Sequence, residues 1–178
     1  MRYSMLTFRK STYEDIDVME SIINDGKALL RSKGIDQWQK GYPNRAQLIE
    51  DAEKGIGYVA ELDGRIVGVC MVMFTEELSY RTIRDGQWMT AQDSGYVTVH
   101  RCAVAADCRG QGVIGFIFRS ALEMARANGA PSVRLDTHLE NLTIQHALEK
   151  NGFTRCGIVS LVGGAEDGCL RVGYEQLV

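Results

Sequence analysis

The strongest constraint in this sequence is a segment that predicts a strand, a short turn and a helix in succession. The strand is Tyr96–Val104, which is rich in β-branched residues, and apolar residues recur at helical spacing from Val113. The turn between them contains Arg109, Gly110 and Gly112. A helix N-terminus offers free N–H groups, glycine lets a ligand approach the backbone, and arginine can grip a phosphate. The segment therefore predicts an anion site that suits a pyrophosphate.

One alternative for this segment is a dinucleotide site. Gly110, Gly112 and Gly115 fit the spacing G-x-G-x-x-G, and the next predicted strand ends near Asp136, where a ribose-binding acid is expected. However, five residues, Ala105–Arg109, separate the strand from the first glycine, whereas the dinucleotide fold turns almost directly into its helix. A doubly wound sheet also needs several β-α-β units, and this chain supplies antiparallel hairpins around one crossover. Chain order therefore disfavours a dinucleotide-binding domain.

The rest of the chain has a mixed α/β pattern. Strands are predicted at Leu6–Arg9, Tyr58–Leu62, Ile66–Phe74, Ser132–Thr137, Thr154–Leu161 and Leu170–Gln176. Helical spacing predicts a first helix that begins at a cap at Ser11 or Thr12 and includes Ile16, Met19, Ile22 and Ile23. Further helices are predicted over Lys27–Lys33, from Asn44 to about Lys54, from Val113 to about Asn128, and over Leu142–Lys150. Asp63-Gly64 favours a tight type I′ hairpin turn, and the irregular segment Thr75–Gly95 is long enough to suggest a functional loop.

Length and composition limit the class of protein. The chain has 178 residues, of which 45% are hydrophobic and 24% charged, and we expect one globular domain over residues 1–178. It contains no apolar run of membrane-spanning length and no signal-peptide pattern, so we expect no membrane association and no export. A net charge of −3 argues against a nucleic-acid partner and favours a small molecule or a peptide. The five cysteines lack zinc-like spacing, so we expect reduced thiols, a cytoplasmic location and no metal.

Two segments of the chain match the pattern of one enzyme family. The first, VHRCAVAADCRGQGVIGFIF, contains Arg-x-x-Gly-x at Arg109 and Gly112, with Ile114 at the next position. The second, DTHLENLTIQHALEKNGFTRCGIV, contains a helix led by Asn141 and a Gly-Phe pair, Gly152-Phe153, at its end. Together they resemble the GCN5-related N-acetyltransferase (GNAT) family, whose phosphate turn is Arg/Gln-x-x-Gly-x-Gly/Ala. Ile114 departs from that pattern, since the family has glycine or alanine there.

The resemblance implies a fold, an acyl donor and a reaction. The fold is a mixed, mostly antiparallel sheet flanked by helices, which splays beside the phosphate turn. The acyl donor is acetyl-CoA, and the residues that would bind it are Cys102, Ala103, Val104, Arg109, Gly110, Gln111, Gly112, Val113, Ile114 and Asn141. The reaction is direct transfer of the acetyl group to the amine of a small molecule or a peptide. A homodimer is also an expectation at the level of the family.

Direct acyl transfer needs an uncharged amine, an oxyanion donor and a proton for the departing thiolate. By the resemblance, the oxyanion donor is a backbone N–H near Ala103 or Val104. The family often has a tyrosine seven residues after its asparagine, but this chain has Leu148 there, so the usual general acid is missing. That difference leaves a non-catalytic CoA-binding module as an alternative function.

Three residues are candidates for the remaining proton chemistry. His100 comes first, because it lies on the central strand and histidine titrates near neutral pH. A satisfied core or surface histidine is the alternative role for His100. His138 and Glu140, just past the following strand, have a similar claim.

Two loops are expected to form the acceptor pocket. The first spans Gly34–Asn44 and contributes Trp38 and Tyr42, and the second spans Thr75–Gly95 and contributes Trp88. Aromatic residues on loops tend either to line a pocket or to plug a gap. Acids in the second loop could also attract a cationic amine; they are Glu76, Glu77, Asp85 and Asp93.

Overall fold

The fold is described from a computed structural model, which describes residues 5–178. Within this range the strands are β1 (Leu6–Lys10), β2 (Gly57–Leu62), β3 (Arg65–Met73), β4 (Val97–Val104), β5 (Ser132–His138), β6 (Thr154–Ser160) and β7 (Leu170–Leu177). The helices are α1 (Ile16–Ser32), α2 (Arg45–Glu53), α3 (Val113–Ala127) and α4 (Leu142–Lys150). The predicted strands are therefore confirmed, with ends that differ by about one residue. No helix in this part of the chain is both long and apolar enough to cross a bilayer.

The strands form one sheet in the order β1-β2-β3-β4-β5-β7-β6. Strands β4 and β5 are parallel, and all other neighbouring pairs are antiparallel. The predicted mixed, mostly antiparallel sheet is thus confirmed, and a doubly wound dinucleotide fold is excluded, because it would need several parallel neighbours. The hairpin between β2 and β3 is also as predicted, since φ is +51° at Asp63 and +84° at Gly64.

Strands β4 and β5 separate soon after they begin. They pair only through Val97 with Val133 and Thr98 with Arg134. From Val99 to Val104, the edge of β4 toward β5 therefore has no strand partner in the described chain. Backbone N–H and C=O groups at such an edge can bond a ligand that enters beside the strand.

A β-bulge interrupts β4 at the same place. Val69 of β3 pairs with Ala103 and Met71 pairs with His100, so Arg101 and Cys102 stand opposite a single β3 residue. Arg101 has φ of +54°, which is unusual for a residue with a side chain. Bulges of this kind re-aim side chains and often lie next to active sites. Here the bulge lies between His100 and the last residues of β4, Ala103 and Val104, which lead into the glycine-containing turn.

Helix α1 corrects one prediction. We expected Lys27–Lys33 to form a separate helical piece, but α1 is continuous from Ile16 to Ser32. Gly26 does not break this helix. A Cβ at this position would meet the Trp38 ring at 3.3 Å. The bulky indole therefore takes the space that a side chain on the helix would fill. Gly26 thus lets the α1–α2 loop pack closely against α1.

The long segment 75–95 is anchored to the sheet by a buried ion pair. The guanidinium of Arg134 lies 3.1 Å from a carboxylate oxygen of Glu175, and both side chains are fully buried. The same guanidinium stacks 4.5 Å from the ring centre of Trp88 and 3.8 Å from that of Tyr96. The Trp88 indole also donates to the carbonyl of Tyr80 at 2.9 Å. This segment is therefore a fixed wall of the protein beside β4 and β5.

Candidate active site

A cavity of about 860 Å³ lies between the diverging strands β4 and β5. Its walls come from α1, the α1–α2 loop, β4, the start of α3, β5, α4 and the loop between β6 and β7. The bulged part of β4 runs along it. One continuous space therefore reaches from the glycine-rich turn to the aromatic and charged residues of the loops.

The phosphate turn, residues 105–112, forms one end of this cavity. Gly110 and Gly112 have φ of +75° and +83°, and a Cβ on either would meet no atom of residues 5–178 within 4 Å. Gly112 is the N-cap residue of α3 and has no side chain, so no capping side chain bonds the first N–H groups of the helix. The buried Nη2 of Arg109 has no hydrogen-bond partner in the described chain. These features fit an anion such as a pyrophosphate.

Most residues predicted to bind the acyl donor line the cavity. They are Cys102, Ala103, Val104, Arg109, Gly110, Gly112, Val113, Ile114 and Asn141. Gln111 points elsewhere, since its Nε2 donates to the carbonyl of Asp107 at 2.8 Å. Ile114 stands where the family has glycine or alanine. It does not block the cavity, because it lies in the cavity wall beside Val113.

Three basic residues that the sequence did not single out also line the cavity. Lys33 comes from the end of α1, Arg119 from α3, and Lys150 from the end of α4. They are far apart in sequence and converge only through the packing of three helices. Several positive charges in the lining of one cavity favour an anionic ligand.

Asn141 has a structural role that the sequence did not reveal. Its Oδ1 accepts from the N–H of Ile144 at 3.4 Å, which caps α4, and its Nδ2 donates to Gln37 at 3.0 Å. Asn141 therefore fixes the start of α4 to the α1–α2 loop while it lines the cavity. Leu148, where the family often has tyrosine, is fully buried in the core.

His100 lies between two carboxylates in the cavity wall. Its Nε2 is 3.1 Å from Oε2 of Glu77, and its Nδ1 is 3.7 Å from Oδ2 of Asp136. Only the first distance is short enough for a hydrogen bond. In the neutral ring, Nε2–H then donates to Glu77, and Nδ1 keeps a free lone pair. This arrangement is an orienting carboxylate, an imidazole and a second carboxylate that can stabilise the imidazolium.

Glu77 is held in its ionised form by this contact. Burial by itself would raise the pKa of Glu77, but the hydrogen bond from His100, the charge of His100 and the N–H of Ser79 outweigh it. The pKa of Glu77 is lowered to about 2. Glu77 is therefore a poor proton acceptor and a good anchor for His100.

Replacing Glu77 with glutamine should change how stability depends on pH. The low pKa of Glu77 means that its carboxylate stabilises the fold above the ordinary pKa of 4.5, and that this stabilisation is lost as the pH falls toward 2. Between about pH 5 and pH 2 the wild type should lose about 2–3 kcal/mol more unfolding free energy than Glu77→Gln. Urea unfolding at a series of pH values measures the difference. Parallel curves for the two proteins would contradict the ion pair.

Asp136 connects His100 to a further set of charged residues. Its Oδ2 accepts from the hydroxyl of Tyr80 at 2.7 Å, and burial raises the pKa of Tyr80, so the tyrosine remains a donor. Oδ1 of Asp136 is 4.0 Å from Nε of Arg171 on β7. Arg171 in turn lies 3.0 Å from Glu166. Glu166 accepts from the backbone N–H of Trp38 at 2.8 Å, so this wall joins β5, β7 and two loops.

The bulge residue Arg101 forms another wall of the cavity. Its guanidinium makes a two-pronged ion pair with Asp51 at 2.6 and 2.8 Å, and it donates to the hydroxyl of Tyr42 at 2.7 Å. Burial raises the pKa of Tyr42. The acceptor-pocket candidates Trp38 and Tyr42 therefore do line the cavity. Trp88 does not line it, because its ring is packed against Arg134 on the sheet.

The structure separates the three candidates for proton chemistry. His100 lines the cavity, whereas His138 and Glu140 do not. Nδ1 of His138 accepts from the backbone N–H of Glu140 at 3.1 Å. Burial, together with the charge of Arg171, lowers the pKa of His138. His138 thus touches the site only from behind its wall, where its backbone carbonyl accepts from the N–H of Asn141 at 3.0 Å.

Comparison with known proteins agrees with this fold. The model of the acetyltransferase (GNAT) family matches residues 23–153. A GNAT-family acetyltransferase from Streptococcus agalactiae is 31% identical, with a TM-score of 0.86, and the match covers 99% of this chain and 98% of that one. One from Listeria monocytogenes is 16% identical with a TM-score of 0.72, covering 99% and 100% of the two chains.

A third solved structure, the ribosomal-protein-alanine N-acetyltransferase of Brucella melitensis, is 17% identical, with a TM-score of 0.65 and coverage of 97% and 99%. At these lower identities the likeness concerns the fold alone. No curated protein sequence gave a significant match. The family match and the Streptococcus relative show that the chain belongs to the GNAT family of acetyltransferases.

Proposed function

We propose that this protein transfers the acetyl group of acetyl-CoA to a primary amine of a small molecule or a peptide. One observation carries the proposal: the phosphate turn and His100 with its two carboxylates lie in the same cavity between β4 and β5. Acetyl-CoA supplies the activated thioester. The chain supplies the site that binds it and the groups that move protons.

Three parts of the chain would hold acetyl-CoA. The N–H groups at the start of α3 and Arg109 suit the pyrophosphate, and the φ values of Gly110 and Gly112 keep the backbone accessible. The unpaired edge of β4 would bond the amide groups of the pantetheine arm. Arg119, Lys33 and Lys150 would neutralise the remaining phosphate charge.

His100 would act as the general base. Glu77 holds Nε2–H, so Nδ1 can take a proton from the incoming ammonium, and Asp136 at 3.7 Å stabilises the resulting charge. His100 can then return a proton to the departing thiolate, which removes the need for the tyrosine that Leu148 replaces. A backbone N–H of Ala103 or Val104 would donate to the developing oxyanion. Placement of the two reactants in one cavity adds to the rate.

The reaction is expected in the cytoplasm. All five cysteines are free thiols, and none is paired in a disulfide. Reduced thiols are typical of that compartment.

Release of free thiol from acetyl-CoA, followed with a panel of amines, tests the proposed function. An enzyme gives thiol release that depends on the amine, and a CoA-binding module gives tight binding without release. Failure to bind CoA would overturn both functions. Binding is measured separately by the rise in melting temperature on adding CoA.

A further inference from the structure

The indole of Trp38 lies where helix α1 meets the end of β4. A Cβ on Gly26 of α1 would be 3.3 Å from Cζ3 of the indole and 3.8 Å from Cβ of Ala103. The ring and Ala103 therefore both lie within 4 Å of one point on α1, and all three residues line the cavity. Trp38 is 9% exposed and belongs to the hydrophobic core. It forms an apolar corner of the cavity beside β4.

The close approach of this ring depends on a glycine inside a helix. Glycine is less favourable than alanine in a helix interior, yet Gly26 lies in the middle of α1. The ring occupies the space that a side chain would need at this position. The packing of Trp38 against α1 is therefore tight, with no room for the indole to move toward the helix.

The backbone around Trp38 is also fixed, because three successive residues are bonded to three different parts of the fold. Gln37 accepts from Nδ2 of Asn141 at 3.0 Å, at the start of α4. The N–H of Trp38 donates to Glu166 at 2.8 Å, and Nε2 of Gln39 donates to a backbone carbonyl of α1 at 3.0 Å. Trp38 has φ of +62°, which persists only where the surroundings hold it. The indole is thus a rigid wall of the cavity.

The acyl group of the donor would lie next to this wall. In the proposed reaction, the edge of β4 binds the pantetheine arm, and a backbone N–H of Ala103 or Val104 donates to the thioester oxygen. The acyl chain then starts beside Ala103, whose neighbours Trp38 and Leu30 belong to the same apolar core. A longer chain needs the space that the indole fills, and a packed interior resists added methylene groups.

We propose that the Trp38 indole limits the donor to a short acyl group, and that Trp38 therefore determines donor specificity. The inference rests on the proposed acetyltransferase function and deepens it. It gives the indole a contact with the acyl group, whereas the sequence placed Trp38 in the acceptor pocket. No bond to Trp38 forms or breaks during the transfer.

Three ligands test the proposal without an acceptor amine. CoA has no acyl group, acetyl-CoA has the short one, and hexanoyl-CoA has a long apolar one. Their Kd values are measured by titration calorimetry. The wild type should bind hexanoyl-CoA at least about tenfold more weakly than acetyl-CoA, because even one methylene group in a closely fitting pocket can change affinity by that factor.

Trp38→Ala should remove this discrimination. The substitution opens an apolar space beside Ala103, and such spaces bind apolar groups. The affinity for hexanoyl-CoA should rise at least about tenfold relative to that for acetyl-CoA. The affinity for CoA should stay within about twofold, since CoA has no acyl group to reach the indole. Trp38→Phe keeps a smaller ring and should give an intermediate ratio.

A second buried aromatic residue provides the matched control. Tyr58 on β2 is 8% exposed and stacks on Phe8 at 5.1 Å between ring centres, but it does not line the cavity. Tyr58→Ala should lower the melting temperature, as Trp38→Ala does, through the loss of a large buried side chain. It should leave the affinity ratio of hexanoyl-CoA to acetyl-CoA unchanged.

Each outcome decides for or against the proposal. Hexanoyl-CoA that binds the wild type as tightly as acetyl-CoA overturns it, as does a Trp38→Ala variant in which all three Kd values change by one factor. If Trp38→Ala fails to fold by circular dichroism, Trp38→Phe decides, and an unchanged ratio in that variant overturns the proposal. If none of the three ligands binds, the proposed function and the inference both fail. If they bind as expected but no amine releases thiol, the transfer reaction fails and the assignment of Trp38 stands.

Discussion

Replacing His100 with glutamine should lower kcat/KM for amine acetylation by about 10²–10⁴-fold, the usual contribution of a general base. Glutamine can still donate to Glu77 in place of Nε2, which is 3.1 Å away, but it cannot take a proton at the position of Nδ1. Binding of CoA should stay unchanged, because the phosphate turn is a separate part of the cavity. Steady-state thiol release gives the first quantity, and the shift in melting temperature gives the second.

A second histidine provides the matched control for this prediction. His138 lies at the end of β5 but does not line the cavity. His138→Gln should therefore keep activity within about twofold. Equal losses in His100→Gln and His138→Gln, or full activity in His100→Gln, would contradict the assignment of the base.

Replacing Gly112 with valine should abolish CoA binding while the protein stays folded. A Cβ at Gly112 meets no atom of residues 5–178 within 4 Å, so the new side chain enters the space that the pyrophosphate would need. At a hundredfold excess over its Kd, CoA should stabilise the wild type by about 2.7 kcal/mol and the variant by nothing measurable. Thermal unfolding with and without CoA measures this difference.

Valine at Gly112 also strains the backbone, because φ is +83° there, and this effect needs its own control. Gly129, at the other end of α3, has φ of +71° and an equally open Cβ position. It is roughly 25 Å from Gly112, given the rise of an α-helix. Gly129→Val should show similar strain and keep the full response to CoA. A normal CoA response in Gly112→Val would place the phosphate site elsewhere.

The sequence was sufficient for most of the elements and for the geometry of the turn at residues 105–112, because local rules determine both. The Asp63-Gly64 hairpin follows from the positive φ that both residues adopt, and the cap at Asn44 follows from its side chain, which accepts from Gln47 at 3.0 Å. The anion site proposed at Arg109 to Gly112 depends on a strand, a glycine turn and a helix that are contiguous in sequence. Such features need no knowledge of tertiary packing.

The acceptor site could be predicted only in part, because long-range packing assembles it. Glu77 was one of four loop acids without a distinguishing signal, and its place beside His100 depends on the anchoring of segment 75–95 by Arg134 and Glu175. Arg171 and Glu166 belong to no motif. Trp88 resembled a pocket residue in sequence, but its ring fills the space beside Arg134.

The bulge in β4 also had no local signal. Arg101 adopts a positive φ without being glycine or asparagine, and it does so because Asp51 and Tyr42 hold its guanidinium. These partners come from α2 and the loop before it. The position of His100 in the cavity therefore depends on contacts that lie about fifty residues away in sequence.

The most direct test of the account is to identify the product. The protein is incubated with acetyl-CoA and the amine of the panel that gives the fastest thiol release, the amine is analysed by mass spectrometry, and the thiol is measured in the same sample. The account predicts that each free thiol is matched by one acetyl group on the amine nitrogen, and that His100→Gln suppresses both together. Thiol release without an acetylated amine, which is hydrolysis of acetyl-CoA, would contradict it.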